Sequence, residues 1–526
     1  MPTIEFSLKK IEEKTNLSKE KILEIIENSK VELEEIENDK IKVTIPAERL
    51  DLIFLNGFCN FLLGKYKELK IEKSEVKVKA EKVEARPYFA CFIVEGLELT
   101  EEDLKEIILF QENLHKFLGR DRKFVAIGIH DLDKIKGNIV YKEAFPDEKF
   151  VPLTYEKEMS LKEVLEITDK GKKYGNLINK FEKYPAIYDE ESIISFPPIL
   201  NSEKTKLTVN TKRIFVDITG TFEKAVEDAL NLLIYFFSLY GKIKSLELNG
   251  KEFPKIEEKV IVLDLNKVNK IVGLNFSSEE IKDFLSKAGL IAEIENSKIK
   301  VKIPFYRLDI FGERDVIEEI AIAYGYNNFE PRLPNLFTKG KIHKREKIEK
   351  RIREILIGLG FTEVLNTIFI NKNLLEKCLI KEECLELENP VSEEYSLLRN
   401  YLFPSLINFV SKNLDKDFPQ KIFEIGYVVK NLKEERRIAF LIASNETNLS
   451  ELISYIKAFF NELKIDIKLE KFNFDFLIKG RSGKIFANNE EIGFFGEVNP
   501  QVLENFGIKI PIAYCEIYGN KIYSRV

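Results

Sequence analysis

Apolar positions recur along the chain with two periods, one typical of helices and one typical of strands. In "RLDIFGERDVIEEIAIAYGY" (residues 307–326), Val316, Ile317 and Ile320 share one sector of a helix that turns about 100° per residue. The apolar runs "YFACFIVEGLEL", "KFVAIGIHDLDKI" and "RIFVDITG" predict strands. The segments "EEDLKEIILFQENLHKFLG" and "FEKAVEDALNLLIYFFSLYG" predict amphipathic helices, the second of which ends at Gly241.

One segment of the sequence occurs twice. "EIENDKIKVTIPAERLD" (residues 35–51) and "EIENSKIKVKIPFYRLD" (residues 293–309) agree at 13 of 17 positions. A segment that opens with Ser and acidic residues precedes each copy and predicts a helix, and each copy predicts an alternating strand that ends at Ile-Pro. We therefore predict two related small helix-and-strand modules, at residues 1–80 and 258–332.

The rest of the chain predicts two further domains. Residues 81–257 interleave strands and helices around the loop "IISFPPILNSE", which indicates an α/β domain between the two modules. Residues 333–526 begin with the basic helix "KREKIEKRIREILIGLG", followed by the predicted strand "FTEVLNTIFI". Because 526 residues are too many for one core, the predicted fold class is multidomain α+β.

Composition narrows the class of protein. The chain is 44% hydrophobic and 32% charged, and its net charge of −6 provides no global basic field, so we expect no DNA partner and only local RNA contacts. The sequence has no run of 18 apolar residues and no secretory N-terminus, so we expect a cytoplasmic protein without a membrane partner. The five cysteines show no CxxC spacing, which is typical of reduced thiols and predicts no zinc site.

A group of acids is the first candidate for chemistry. Asp315, Glu318 and Glu319 share one face of the predicted helix, shortly after Asp309. They are either a solvated face, favoured near a helix N-terminus, or ligands for a hard cation such as magnesium. The corresponding positions of the first module carry no acid, so the module can fold without them.

The middle domain holds a second set of candidates. Asp217 and Thr219 lie two apart in "FVDITG" and share one strand face, where they need partners if they are buried. The loop "SFPPILNSE" carries Ser195 and Asn201, which can face the same cavity. These residues form either a polar rim or a pocket. We expect His130 to brace a strand end rather than to bind a metal.

Several of these motifs follow one another in the order of a known family. They are "ARPYFACFIVEGLEL", "LFQENLHKFLGRDRKFVAIGIHDLDKIKG", "SFPPILNSE" with "FVDITG", and "DIFGERDVIEEIAIAYGYNNFEP", with "LENPVSEEYSLLRNYLFPSL", "KIFEIG" and "GEVNPQVLENFGI" further on. Each motif is modest, but the ordered set is specific. Over essentially its whole length the chain resembles the β subunit of archaeal and eukaryotic-type phenylalanine–tRNA ligase.

The resemblance implies a partner subunit and a different function for each subunit. It implies an (αβ)₂ heterotetramer in which the α subunit binds ATP and joins phenylalanine to tRNA(Phe). The last domain would be a class II synthetase-like antiparallel-sheet domain that lacks the catalytic motifs, because the glycine-rich ATP-binding motif is not recognisable after Gly480. Such a domain would serve as scaffold and α-subunit interface.

The resemblance also implies a B3/B4-like editing domain at residues 81–257, which would hydrolyse mischarged Tyr-tRNA(Phe). Matched by motif, the substrate-binding residues would be Ile187, Ser195, Asp217 and Thr219, and the catalytic residues near the ester would be Gln111, Glu112, Arg122 and Asn201. Since the chain has only three histidines and no apparent nucleophile, we expect hydrolysis by a positioned water.

The second module is similar to the family's B5 domain, which implies Mg²⁺ bound by Asp309, Asp315, Glu318 and Glu319. Such oxygen ligands also admit calcium or manganese. The first module departs from the family, since "AERLDLIFLNG" (residues 47–57) stands where "NRPDLLSxEG" is usual. The alternative function is a non-catalytic scaffold that assembles the α subunit and positions tRNA, with editing lost.

Overall fold

The computed structural model describes residues 1–257, 259–295, 298–335 and 338–526. The chain divides into two units, Met1–Leu333 and Pro334–Val526. Within the described ranges, no helix combines the length and the apolar character needed to cross a membrane.

The first module is a small sheet covered by helices. Its strands are β1 (Thr3–Ser7), β2 (Glu32–Glu37) and β3 (Lys40–Thr44), and its helices are α1 (Leu8–Thr15), α2 (Lys19–Glu27) and α3 (Leu55–Leu62). The strands pair in the antiparallel order β1-β3-β2. Ser7 and Ser18 cap α1 and α2 with their side chains, and Ser18 opens the helix that the sequence predicts there.

The middle domain is built on one large sheet and a separate pair of short strands. Its strands are β4 (Glu72–Ala80), β5 (Tyr88–Glu95), β6 (Val125–Asp131), β7 (Ile139–Ala144), β8 (Lys149–Phe150), β9 (Met159–Ser160), β10 (Tyr184–Tyr188), β11 (Ile193–Phe196), β12 (Leu200–Asn201), β13 (Arg213–Gly220), β14 (Lys242–Leu248) and β15 (Lys251–Phe253). Its helices are α4 (Glu101–Phe117), α5 (Leu161–Ile167), α6 (Asp169–Tyr174) and α7 (Glu223–Phe237). The sheet runs β12-β11-β10-β7-β4-β14-β5-β13-β6, with β15 on β14.

The sheet is mainly antiparallel, with parallel pairing where β4 meets β14 and β7. Its pairing corrects two expectations. Strand β4 belongs to this sheet, although its residues lie within the range predicted for the first module. The segment "IISFPPILNSE", predicted as a loop, forms β11 and β12 around a turn at Pro197 and Pro198.

The second module repeats the architecture of the first. Its strands are β16 (Lys259–Asp264), β17 (Ile291–Glu295) and β18 (Lys298–Ile303), and its helices are α8 (Leu265–Val272), α9 (Ser278–Lys287) and α10 (Glu313–Tyr324). The strand order β16-β18-β17 corresponds to β1-β3-β2. The duplicated sequence therefore encodes a duplicated fold, with the buried Ile299 and Val301 in the places of Ile41 and Val43.

The second unit is an antiparallel sheet with helices. Its strands are β19 (Thr362–Glu363), β20 (Phe369–Ile370), β21 (Leu397–Leu398), β22 (Gln420–Lys430), β23 (Lys433–Ala443), β24 (Lys468–Lys471), β25 (Leu477–Ala487), β26 (Glu490–Val498) and β27 (Ile512–Tyr518), and its helices are α11 (Lys344–Gly358), α12 (Lys372–Lys377), α13 (Phe403–Ser411), α14 (Leu449–Glu462), α15 (Pro500–Asn505) and α16 (Gly519–Tyr523). The main sheet has the order β19-β22-β23-β27-β26-β25-β24 and is antiparallel except where β19 pairs with β22. Strands β20 and β21 pair in a separate two-stranded sheet. The predicted strand "FTEVLNTIFI" forms only the short β19 and β20.

Tyr235 on α7 joins the three parts of the first unit. Its ring stacks on Tyr306 of the second module with centroids 3.7 Å apart, and its hydroxyl accepts a hydrogen bond of 3.1 Å from Asn60 of the first module. Tyr235 and Tyr306 are both buried and belong to the core that also contains Phe54 and Phe58. The modules therefore pack against the middle domain through a shared aromatic core.

Replacing Tyr235 tests this junction. Tyr235→Ala removes a buried ring, so we expect it to lower the free energy of unfolding by about 3–5 kcal/mol. Tyr235→Phe keeps the ring and loses one hydrogen bond, so we expect a loss of about 1 kcal/mol. Chemical denaturation of the full chain, followed by circular dichroism, measures both, and equal effects of the two variants would contradict the aromatic junction.

Candidate functional site

A cavity of about 360 Å³ lies beside the edge of the middle sheet, against α4, β6 and the turn between β11 and β12. Most of its wall is apolar, with Ile107, Ile127 and Ile129 among the lining residues. The predicted site residues in the wall are Gln111, Glu112, Arg122, Ser195, Asn201 and Asp217. The structure thus brings together six residues that come from distant parts of the chain, and Asp217, Ser195 and Asn201 are among them.

The strand register explains how a carboxylate reaches this cavity. On β13 the buried Val216 and Ile218 pack in the core shared with α7, so Asp217 between them points to the opposite face. Asp217 pairs across the sheet with Gly128 of β6. A Cβ atom on residue 128 would lie 2.0 Å from Asp217 Oδ2. Gly128 therefore leaves the space that the carboxyl group occupies.

Asp217 is hydrogen-bonded within the protein. It is 1% exposed, and its Oδ2 lies 2.9 Å from Nε2 of the fully buried His130. Nδ1 of His130 lies 2.8 Å from the Thr205 hydroxyl. His130, which the sequence predicts to brace a strand end, lies near the end of β6 and contacts the carboxylate of the cavity.

Ser195 and Asn201 form the neighbouring wall. The two residues pair across β11 and β12, and Ser195 Oγ donates a hydrogen bond of 3.0 Å to Asn201 Oδ1. Asn201 Nδ2 donates to the Ile129 carbonyl at 3.3 Å. Both side chains therefore have fixed orientations beside the cavity.

Gln111, Glu112 and Arg122 surround another part of the cavity. Gln111 donates to the Ile127 carbonyl at 2.7 Å. Arg122 forms an ion pair of 2.7 Å with Glu112 and donates to the carbonyls of Pro198 and Ile199 at 3.0 and 2.9 Å. Its guanidinium thus contacts both Glu112 on α4 and the turn between β11 and β12.

The turn that carries Arg122 has an unusual backbone. Arg120, Asp121 and Arg122 have consecutive positive φ values of 46°, 53° and 64°. Residues other than glycine rarely adopt this conformation, and such strain persists only where surrounding contacts hold it. Here the contacts come from the Arg122 side chain and from Arg86, whose Nη1 donates to the Arg122 carbonyl at 3.1 Å.

The charges around Glu112 keep it ionised. Contact with His115, together with the Arg122 and Lys170 charges, holds the pKa of Glu112 well below its usual range. Burial lowers the pKa of His115 to about 4, so this histidine is neutral near pH 7. This side of the cavity therefore carries a carboxylate, Glu112, and two cations, Arg122 and Lys170.

Two predicted substrate-binding residues do not line the cavity. Thr219 is fully buried, and its hydroxyl accepts a hydrogen bond of 3.0 Å from Arg86. Ile187 is also fully buried and packs in the core that contains Phe215 and Tyr141. Arg86 is 1% exposed, and nothing in the local sequence pattern distinguishes it from a surface arginine.

The four predicted metal ligands have protein partners. Asp309 and Glu319 pair with the buried Arg307 at 2.7 and 2.8 Å. Asp315 accepts hydrogen bonds from the amides of Phe311 and Gly312 at the start of α10. Two of the acids thus form ion pairs with an arginine, whereas Asp315 accepts hydrogen bonds at the start of α10.

Glu318 points to a different neighbour, since it pairs with Lys30 of the first module at 2.9 Å. In the part of the chain that the structure describes, no three His, Cys, Asp or Glu side chains are grouped so that they could hold a metal ion. The arrangement therefore does not fit a magnesium centre unless Asp309 and Glu319 leave Arg307.

Added magnesium tests the acid cluster directly. Because Arg307 already neutralises Asp309 and Glu319, we expect Mg²⁺ to leave the thermal unfolding midpoint of the chain as it is in a chelator. A site filled at a hundred times its dissociation constant would add about 2.7 kcal/mol to the free energy of unfolding. A rise of the midpoint in the wild type that Asp309→Asn abolishes would contradict this expectation and establish the metal site.

Comparisons with known proteins match every part of the chain. The family models that match are "B3/4 domain" at residues 118–232, "tRNA synthetase B5 domain" at residues 261–326 and "Phenylalanyl tRNA synthetase beta chain CLM domain" at residues 330–518. The first of these ranges contains Arg122, Ser195, Asn201 and Asp217 of the cavity. The domains are those of an aminoacyl-tRNA synthetase subunit.

The relatives specify the family. The chain is 39% identical to the phenylalanine–tRNA ligase β subunit of Methanocaldococcus jannaschii, over 98% of this chain and 100% of that protein. It is 37% identical to the β subunit of Korarchaeum cryptofilum, over 98% of each chain. A crystal structure of an N-terminal fragment of the Pyrococcus horikoshii phenylalanyl-tRNA synthetase β subunit covers 61% of this chain and 99% of that fragment, at a TM-score of 0.58 and 35% identity. The chain belongs to the phenylalanine–tRNA ligase β-subunit family.

Proposed function

We propose that this chain assembles with a phenylalanine–tRNA ligase α subunit, as an (αβ)₂ heterotetramer, and that its cavity hydrolyses Tyr-tRNA(Phe). In this proposal the α subunit binds ATP and charges tRNA(Phe) with phenylalanine. A pocket for phenylalanine rejects tyrosine poorly, because tyrosine only adds a hydroxyl, so a second hydrolytic site removes the error. Membership of the β-subunit family and the B3/4 match over the cavity support the proposal.

Asp217 is the observation that carries the editing proposal. It places a carboxylate beside the apolar wall of the cavity, away from Glu112, which is already paired with Arg122. A carboxylate accepts a hydrogen bond from a phenol, whereas a phenylalanine ring would leave it buried without that partner. A site of this kind can prefer a hydroxylated substrate by a factor of about 10⁴. The chemistry of the cavity therefore suits tyrosine.

The remaining polar residues suit a hydrolytic role at the ester. Gln111, Glu112, Arg122 and Asn201 have orientations fixed by hydrogen bonds, so they can hold a water and the ester carbonyl without a large reorganisation. Glu112 is ionised and can orient the attacking water by accepting a hydrogen bond from it. In this mechanism Arg122 stabilises the developing negative charge, and no covalent intermediate forms.

The second unit offers a surface for the α subunit. Several large apolar side chains between residues 365 and 395 are exposed, among them Leu365 at 90% and Val391 at 98%. Exposed apolar side chains grouped along one segment are typical of protein interfaces. We propose that this segment contacts the α subunit and that the unit serves as scaffold. Magnesium and ATP would act in the ligase reaction of the α subunit.

The substitution Asp217→Ala separates editing from a purely scaffolding function. With the α subunit present, we expect it to lower the hydrolysis rate of Tyr-tRNA(Phe) by about a hundredfold or more, because the phenol loses its charged acceptor. Assembly and phenylalanine charging should stay at wild-type levels. Single-turnover hydrolysis and gel filtration measure the two properties.

The variant Lys300→Ala is the control, because this exposed lysine of the second module lies outside the cavity lining. Its hydrolysis rate should equal that of the wild type. If the wild type and Asp217→Ala assemble equally and both hydrolyse Tyr-tRNA(Phe) slowly, the chain is a scaffold and the editing proposal is wrong.

A further inference from the structure

A series of hydrogen bonds links Asp217 to His130 and Thr205, and the proposed mechanism gives His130 and Thr205 no role. Thr205, His130 and Asp217 are 1%, 0% and 1% exposed, and they are joined by contacts of 2.8 and 2.9 Å. Asp217 and Thr205 line the cavity, whereas His130 lies behind them. Because His130 contacts Asp217 directly, it can fix the orientation of this cavity carboxylate.

We propose that His130 is a positioning residue that makes the cavity selective for tyrosine over phenylalanine. In this proposal His130 donates its Nε2 hydrogen to Asp217 Oδ2, which fixes the carboxylate plane and leaves Oδ1 to accept the hydrogen bond of the substrate phenol. The inference rests on the proposed editing function, because it concerns the residue that recognises the substrate.

The donors and acceptors available on the three residues indicate which atom donates in each hydrogen bond. A carboxylate only accepts hydrogen bonds, so Nε2 must carry the proton for its 2.9 Å contact with Asp217 to be favourable. A neutral imidazole then has an acceptor at Nδ1, which the Thr205 hydroxyl fills as donor at 2.8 Å. The alternative acceptor for Thr205, the Ser202 carbonyl, is 3.5 Å away. Thr205 thus selects the histidine tautomer.

The sheet geometry makes the contact rigid. His130 lies two residues after Gly128 on β6, so both residues face the same side of the sheet as Asp217. A Cβ at residue 128 would lie 2.8 Å from His130 Nε2 as well as 2.0 Å from Asp217 Oδ2. The glycine therefore provides the space in which the imidazole and the carboxylate meet.

Four variants of the full chain, assembled with its α subunit, test the proposal. His130→Leu removes the donor, and His130→Gln keeps an amide N–H near the position of Nε2. Thr205→Val removes the hydroxyl with little change of shape, and Thr205→Ser retains it. For each variant, kcat and KM are measured for hydrolysis of Tyr-tRNA(Phe) and of Phe-tRNA(Phe).

We expect His130→Leu to lower the tyrosine-to-phenylalanine ratio of kcat/KM by about tenfold to a hundredfold, the scale of one hydrogen bond to a charged group. His130→Gln should restore most of the ratio, and Thr205→Val should lower it more than Thr205→Ser. His343→Gln, at the exposed histidine before α11, is the matched control and should not change it.

The outcomes distinguish this inference from the proposed function. If Tyr-tRNA(Phe) hydrolysis depends on Asp217 but the variants lower both substrates equally, or leave the ratio unchanged, His130 is only structural and the inference is wrong. If the wild type does not hydrolyse Tyr-tRNA(Phe), the proposed function fails and the inference fails with it. If His130→Leu does not fold, the substrate ratios of His130→Gln and of the two Thr205 variants still test the inference.

Discussion

A carboxylate removed from water must have a hydrogen-bond partner, and this constraint organises the middle domain around Asp217. The partner is His130 on the adjacent strand, and the space for both is provided by Gly128. Since β13 pairs with both β5 and β6, the carboxylate is held in the interior of the sheet rather than on a mobile loop. The cavity can therefore present an oriented acceptor to its ligand.

The rest of the first unit holds this sheet in place. Helix α7 packs on the face of β13 opposite Asp217, and its Tyr235 contacts both duplicated modules. In the second module, Asp309 and Glu319 pair with Arg307, and Glu318 pairs with Lys30 of the first module. The first and second modules therefore support the domain through packing and ion pairs within the described structure.

The sequence predicts the strands that carry the site residues better than it predicts which residues contact those side chains. The alternation in "FVDITG" correctly places Asp217 and Thr219 on one face, but only Asp217 lines the cavity, because Arg86 binds Thr219 from a position 133 residues away. Similarly, Asp315, Glu318 and Glu319 lie in one helix, as predicted. The partner of Glu318, however, is Lys30, which is 288 residues away in the sequence. Partners at such separations follow from the tertiary fold, which local periodicity does not encode.

The most direct test of the account uses the wild-type chain with its α subunit and compares single-turnover hydrolysis of Tyr-tRNA(Phe) with that of Phe-tRNA(Phe). A mostly apolar cavity in which Asp217 is oriented to accept a hydrogen bond from the phenol predicts that the tyrosyl ester is hydrolysed faster, by about 10⁴-fold if the hydroxyl is fully recognised. Equal rates for the two esters would contradict the assignment of the cavity as a tyrosine-selective editing site.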